Sequence, residues 1–144
     1  MNTAAAIGVA VTFVWLGMVL AISFLEAPLK FRAPNVTLQV GLGIGRLVFR
    51  ALNSVELVFA VAIVAAAVAG RPSTTVTAAF IVAVAALVVQ LVAVRPRLNR
   101  RSDQVLAGHE GPRSRVHYLY VALELVKVAA LVVAGVALLS SVVA

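Results

Sequence analysis

Four apolar runs dominate this sequence, over residues 5–25, 47–69, 74–94 and 116–139. As a helix rising about 1.5 Å per residue, each run can cross the roughly 30 Å hydrocarbon core of a bilayer. Helices satisfy their own backbone hydrogen bonds in lipid, whereas barrel strands would be about 10 residues long and alternating. The sequence therefore predicts an all-α fold, an integral membrane four-helix bundle that forms one domain over residues 1–144.

Composition supports a membrane location. Of 144 residues, 63% are hydrophobic and only 12% are charged, which is far from the usage of soluble domains. The chain has no cysteine, which excludes disulfides and thiolate-bound metals. A secretory signal peptide requires Lys or Arg before its apolar run. None precedes the first run here, so we expect this run to be retained.

Basic residues are unevenly shared among the connections between the runs. The first and third connections, with the adjoining helix ends, carry nearly all of them, while the second contains only Arg71. By the positive-inside rule, both termini lie on the non-cytoplasmic side of the cell inner (plasma) membrane. The net charge of +7 then indicates anionic lipid headgroups as partners rather than nucleic acid. The candidate headgroup contacts are Lys30, Arg32, Arg46, Arg97, Arg100 and Arg101.

Two polar stripes enter the second and fourth runs. Arg46, just before the second run, is followed by further polar residues at spacings of four, three and three. His117, in the fourth run, is followed by polar residues at spacings of three, four and three. Such spacings place side chains along one helix face. The candidate intramembrane polar cluster taken from these stripes is Arg50, Asn53, Glu56, Tyr120, Glu124 and Lys127.

Matching depths in these stripes predict ion pairs. Glu56 and Lys127 lie equally far from the cytoplasmic entrance of their runs, so we expect them to pair near the midplane, with Arg50 and Glu124 pairing nearer the cytoplasm. Two acids and two bases would balance as a structural cluster that fixes helix register. The alternative is a polar site for a small ligand, an ion or a proton.

Other motifs give weaker indications. His117, with the tyrosines at 118 and 120, is interpreted as an interfacial aromatic anchor, and a zinc site formed by Glu124 and His117 stays open. We predict no metal and no cofactor. GLGIGR, residues 41–46, lacks the third glycine of a dinucleotide loop; its glycines indicate close packing or, alternatively, a phosphate cradle before the helix.

The stretch SFLEAPLKFRAP, residues 23–34, predicts where the first span leaves the membrane. Pro28 lacks an amide donor and disfavours helix at the residue before it, so we expect the helix to end or kink near Ala27. A linker over residues 26–46 would follow, and whether 35–45 form a surface helix stays open. Small residues four apart, such as those at 79 and 83 and at 130 and 134, favour close helix packing. The halves show no convincing sequence repeat.

Three stretches resemble known families. Ala27-Pro28 and Gly45-Arg46-Leu47-Val48-Phe49 resemble the exit of the first span and the start of the second in the family named for a cisplatin-resistance-associated transmembrane protein. Pro96, Leu98 and Asn99 resemble the P-x-N exit of the anthrone-oxygenase-like membrane family. The first resemblance implies a small four-span bacterial membrane protein of unknown function, and the second an oxygenase or other redox enzyme.

Three functional hypotheses follow. The first is a non-enzymatic accessory or assembly subunit of a larger membrane complex, or a self-associating homo-oligomer, with structural polar stripes. The second is a small transporter or ligand-binding protein that uses those stripes. The third, a redox enzyme, rests on the resemblance alone, because the sequence has no persuasive arrangement of nucleophile and base.

Overall fold

A computed structural model describes residues 2–108 and 115–143 as four long helices. They are α1 (Thr3–Arg32), α2 (Leu38–Gly70), α3 (Thr74–Leu106) and α4 (Arg115–Val143), and each is long and apolar enough to cross a membrane. The described residues contain no strand. The predicted all-α fold with four potential spans is confirmed; residues 109–114 of the predicted third loop lie outside the described ranges.

The helices form an up-down-up-down bundle. α1 packs against α2 and α4, while α3 packs against α4 along its length and contacts α2 through its C-terminal part. α2 and α4 therefore face each other across the bundle. One end, here called the terminal end, holds the start of α1, the end of α4 and the α2–α3 turn, which together line a cavity of about 280 Å³. The opposite end, which carries most of the arginines, is the basic end.

The helices extend well beyond the apolar runs at the basic end. The chain leaves helical structure only over residues 33–37 between α1 and α2, so most of the predicted linker over 26–46 is helical. Residues 38–45, whose structure the sequence left open, belong to α2. Charged side chains end an apolar run without ending the helix, because intrahelical hydrogen bonds do not depend on a lipid surrounding.

Two π-helical segments explain how α1 and α3 continue through proline. α1 is π-helical over Leu20–Glu26 and α3 over Gln90–Val94, and a proline, Pro28 or Pro96, is the second residue of the next helical segment. A wider turn with i to i−5 hydrogen bonds precedes each proline, and proline lacks the amide that the first helical turn leaves unpaired. Of the end or kink expected near Ala27, the end is absent, because α1 continues to Arg32.

The glycine-rich motif lies inside α2. A Cβ atom at Gly41 would overlap the Phe31 ring, and one at Gly45 would lie 2.9 Å from Lys30 Nζ. These glycines allow the end of α1 to pack closely on α2, which supports the packing interpretation. A phosphate cradle before the helix is excluded, because α2 already begins at Leu38.

An apolar core fills the bundle toward the terminal end. The small residues at the α3–α4 interface, Ala79, Ala83, Ala130 and Ala134, are all buried in it. The tight turn predicted at residues 70–73 is confirmed: α2 ends at Gly70, and Ser73 caps α3 by accepting a hydrogen bond from the Val76 amide. Below this core, toward the basic end, the bundle interior becomes polar.

Candidate functional site

Lys127 of α4 lies at the centre of the polar interior. Its side chain is fully buried and its Nζ forms ion pairs with Glu56 of α2 and with Glu124 Oε1 of α4, the latter at 2.5 Å. Nζ also donates a hydrogen bond of 2.9 Å to Gln90 Oε1 of α3. Three helices thus meet at one ammonium group.

α1 completes this arrangement with two neutral donors. Trp15 Nε1 donates to Glu56 Oε2 at 2.8 Å, and Ser23 Oγ donates to Glu124 Oε2 at 2.7 Å. Gln90 Nε2 also donates to Glu124 Oε1 at 3.2 Å. The Lys127 cluster, as we name it, consists of Trp15, Ser23, Glu56, Gln90, Glu124 and Lys127.

The π-helical segments supply part of this cluster. Ser23 lies within the π-helical segment of α1, and Gln90 is the first residue of the one in α3. Both side chains donate to Glu124. Single π-helical turns are frequent at functional sites, because they re-aim side chains relative to a regular helix.

The structure confirms one predicted ion pair and contradicts the other. Glu56 pairs with Lys127 as predicted. Glu124 also contacts Lys127 instead of Arg50, which is exposed. At about 100° per residue, two steps of three residues turn Glu56 about 120° away from Arg50, so the stripe drifts off the inward face. Without Arg50, the cluster has two carboxyl groups and one ammonium group.

The remaining candidates from the stripes lie one turn closer to the basic end. Asn53 and Tyr120 are buried, and Asn53 Oδ1 and the Tyr120 hydroxyl have no hydrogen-bond partner. The Tyr120 ring contacts Phe49 edge-on, with 5.9 Å between the centroids. The anchor interpretation is therefore wrong for Tyr120, whereas Tyr118 is 61% exposed.

Arg95 separates the Lys127 cluster from the basic end. Its guanidinium carbon lies 4.6 Å from the Tyr120 ring centroid and 5.2 Å from that of Phe49. Lys30 Nζ lies 5.9 Å from the Phe49 centroid and 3.7 Å from Glu26 Oε2. Cation–π contacts of this kind hold basic side chains against the bundle.

The predicted headgroup contacts all lie toward the basic end, but in different surroundings. Arg46 Nη1 forms an ion pair of 2.5 Å with Asp103 Oδ1, and the Lys30 side chain is only 10% exposed. Arg101 is half-buried. The exposed members of the set are Arg32, Arg97 and Arg100.

The two halves of the chain correspond in a way that sequence inspection missed. When the sequence is aligned with itself so that Pro28 matches Pro96, Glu56-Leu57-Val58 matches Glu124-Leu125-Val126. In each half, a π-helical segment precedes the proline. The two glutamates of the Lys127 cluster are therefore equivalent positions of two helical hairpins, and they meet where the hairpins pack together.

Sequence reasoning also missed the donors to the two carboxyl groups. Trp15, Ser23 and Gln90 are isolated in apolar runs and form no stripe. The signal that could have found Gln90 is its amide, because a buried amide in an apolar run needs partners on another helix. The third apolar run ends at residue 94, which predicts that Arg95 lies in the third connection, whereas the structure places it inside α3.

The geometry gives no support to the zinc alternative. Both oxygens of Glu124 already accept hydrogen bonds within the Lys127 cluster. Across residues 2–108 and 115–143, no three acidic or histidine side chains are close enough to share a metal ion. Two described cavities, one at the terminal end and one an open groove between α3 and α4, include no cluster residue.

Comparisons with protein-family models, curated proteins and solved structures found no match to this chain. The resemblances to the cisplatin-resistance-associated and anthrone-oxygenase-like families therefore stay predictions.

Proposed function

We propose that this chain is a multi-pass protein of the inner (plasma) membrane, with its basic end in the cytoplasm and both termini outside. Four helices long and apolar enough to cross a bilayer support the membrane location. The uneven distribution of Lys and Arg supports the orientation. Exposed arginines at the basic end would contact anionic headgroups.

Within the membrane, the proposed role is non-enzymatic: an accessory or assembly subunit, or a self-associating bundle, in which the Lys127 cluster fixes the helices relative to one another. The observation that carries this proposal is the convergence of all four helices on two carboxyl groups and one ammonium group. Buried ionic groups are best attested as devices that specify register and assembly. Direct contacts between the side chains of the cluster are what such a role requires.

Native purification in a mild detergent tests the accessory or self-associating role. The proposal expects a particle larger than one chain, either a homo-oligomer or a complex with partner proteins, identified by native mass spectrometry. A monodisperse single chain with no bound protein, obtained under conditions that preserve known membrane complexes, would contradict it. The absorption spectrum of the same sample tests the redox hypothesis, which requires a bound chromophore or metal.

A small-ligand or transport role is the second candidate, favoured by the charge balance of the Lys127 cluster. Its two carboxyl groups exceed its one cation, and three buried oxygen atoms on or near it lack hydrogen-bond partners: Asn53 Oδ1, Glu56 Oε1 and the Tyr120 hydroxyl. A transporter must open the cluster to both membrane faces. Water-soluble probes should therefore reach a cysteine introduced at Asn53, toward the basic end, and one introduced at Thr12, toward the terminal end. Labelling from neither face would contradict transport.

A further inference from the structure

The Lys127 cluster contains one more carboxyl group than it has cations. Glu56 and Glu124 both contact Lys127 Nζ, and all three side chains are at most 1% exposed. The other members of the cluster are neutral. A buried, uncompensated charge is costly and is normally paired or neutralised, and the cost increases further when lipid replaces water around the bundle.

The hydrogen bonds differ between the two carboxyl groups. Both oxygens of Glu124 accept hydrogen bonds. Glu56 Oε2 accepts from Trp15 and pairs with Lys127, but the buried Glu56 Oε1 has no partner. Asn53, one turn earlier on α2, is only 6% exposed, and its Oδ1 also lacks a donor. A hydroxyl at Glu56 Oε1 would place a donor in a buried region where two acceptor oxygens have none.

We infer that the Lys127 cluster is a proton-binding site, in which Glu56 takes up one proton on Oε1 while Glu124 stays the carboxylate partner of Lys127. The proton comes from water, the Glu56 carboxylate becomes a carboxylic acid, and the cluster changes from a net charge of −1 to neutral. A proton, unlike a metal ion, needs no set of surrounding ligands. It can therefore bind among side chains that already contact one another. The inference rests on the proposed membrane location and not on the accessory role.

The surroundings of the cluster indicate the end from which the proton enters. Toward the basic end lie the unpartnered oxygens of Asn53 and Tyr120, and beyond them the guanidinium of Arg95. Toward the terminal end the interior is the apolar core, with Thr12 as a buried hydroxyl one turn from Trp15. Exchange therefore proceeds through the basic end.

The charged and titratable groups around Glu56 come from two helices. α4 contributes Lys127, Glu124 and, one turn away, Tyr120; α3 contributes Arg95 near the Tyr120 ring. α1 faces the carboxyl groups with the neutral donors of the cluster. Among the described contacts, Lys127 is the only cation paired with either carboxyl group.

Infrared spectroscopy of the full chain in lipid nanodiscs at neutral pH tests the proton. The wild type should show the carbonyl band of a protonated carboxylic acid, shifted in D₂O, and Glu56→Gln should abolish it. Glu124→Gln should abolish it too, because a single remaining carboxyl group pairs with Lys127 without a proton. This second variant keeps the test decisive if the first does not fold. Glu26→Gln, at the partly exposed carboxyl group near Lys30, is the matched control and should retain the band.

Two further pairs of variants test the position and the route. Asn53→Leu should shift the band more than Ser23→Ala, which removes a donor to Glu124; a larger shift in Ser23→Ala would place the proton on Glu124 and overturn the assignment. Tyr120→Phe should slow its hydrogen–deuterium exchange severalfold, whereas Thr12→Val should not. Absence of the band from the wild type, or its persistence in both glutamine variants, would overturn the proton site itself. Native mass measured on the same samples tests the accessory role separately.

Discussion

The two halves of the bundle along its axis are held together by different interactions. The terminal half, from the Lys127 cluster to the terminal end, is an apolar core in which small residues such as Ala83 and Ala134 are completely buried. The basic half contains the Lys127 cluster, both π-helical segments and the cation–π contacts of Arg95. The same four helices thus combine an interface that depends on volume with one that depends on charge.

This difference indicates which interactions fix the position of one helix along another in a membrane bundle. Lipid is as apolar as the helix surfaces, so burial of apolar area supplies little drive for association and close packing must contribute. Packing of alanines tolerates sliding of one helix along another, because many positions are alike. An ion pair that joins specific side chains permits one register. We therefore expect the terminal half to respond to side-chain volume and the basic half to charge.

The largest effect should follow from removing both carboxyl groups of the Lys127 cluster. Glu56→Gln with Glu124→Gln leaves Lys127 buried without a counter-charge, which should lower the free energy of unfolding by about 3–5 kcal/mol. Each single change should cost far less, because the remaining carboxylate still pairs with Lys127. Unfolding in mixed detergent micelles, followed by circular dichroism, measures the loss.

Adding Lys127→Met to that double variant is its control. If charge is the cause, the triple variant regains most of the lost stability, since no unpaired ion remains buried. A triple variant as unstable as the double one would show that packing, and not charge, holds the basic half together.

An intermediate effect is expected from overfilling the terminal half. Ala83→Leu adds three carbon atoms at a fully buried position of the α3–α4 interface, which should cost about 1–3 kcal/mol. Ala85→Leu, two residues away on the exposed face of the same helix, is the matched control and should be nearly neutral. Equal effects from the two substitutions, measured in the same micelles, would contradict volume control of this half.

A comparable or smaller effect should follow from removing the indole donor. Trp15→Phe keeps an aromatic ring in the core but removes the hydrogen bond to Glu56 Oε2, for an expected loss of about 1–2 kcal/mol. Thr12→Val, one turn away on α1, serves as the control, because the Thr12 hydroxyl has no partner to lose. The contribution of this hydrogen bond would be refuted if the first variant were as stable as the second.

The smallest effect is expected at the surface of the basic half. Asp103→Asn breaks the exposed ion pair with Arg46 and should cost at most about 1 kcal/mol. Raised salt should reduce the difference between the variant and the wild type, because exposed pairs are screened. A larger loss that is insensitive to salt would mean that this pair belongs to the charge-dependent interior.

Periodicity and charge were sufficient to predict the overall layout. Four apolar runs predict four helices, and equal distances from the membrane entrance predict the Glu56–Lys127 pair. Both inferences rest on the rise per residue of an α-helix, which varies little between proteins. Side-chain direction was less predictable, because the face of a helix turns between positions three residues apart, and Arg50 lies outside for that reason.

The donors around the carboxyl groups depend on features that a pattern does not show. Ser23 and Gln90 reach Glu124 from π-helical segments, whose wider turns change the phase of every following residue. The same segments carry the helices through Pro28 and Pro96, where the sequence predicts an end or kink near Ala27 and places Pro96 in the third connection. Trp15 is equally typical of an apolar core and of a hydrogen-bonded site. Tertiary contacts decide such cases.

Nitrogen–carbon distance measurement by solid-state NMR tests the Lys127 cluster most directly. The chain has two lysines, so Lys30→Arg leaves Lys127 as the sole carrier of a ¹⁵Nζ label, with ¹³C at the glutamate carboxyl carbons. We predict strong dephasing of the Lys127 signal by two carboxyl carbons in lipid bilayers, reduced to one in Glu124→Gln. A Lys127 signal that no glutamate carbon dephases would contradict the convergence of the helices on this residue.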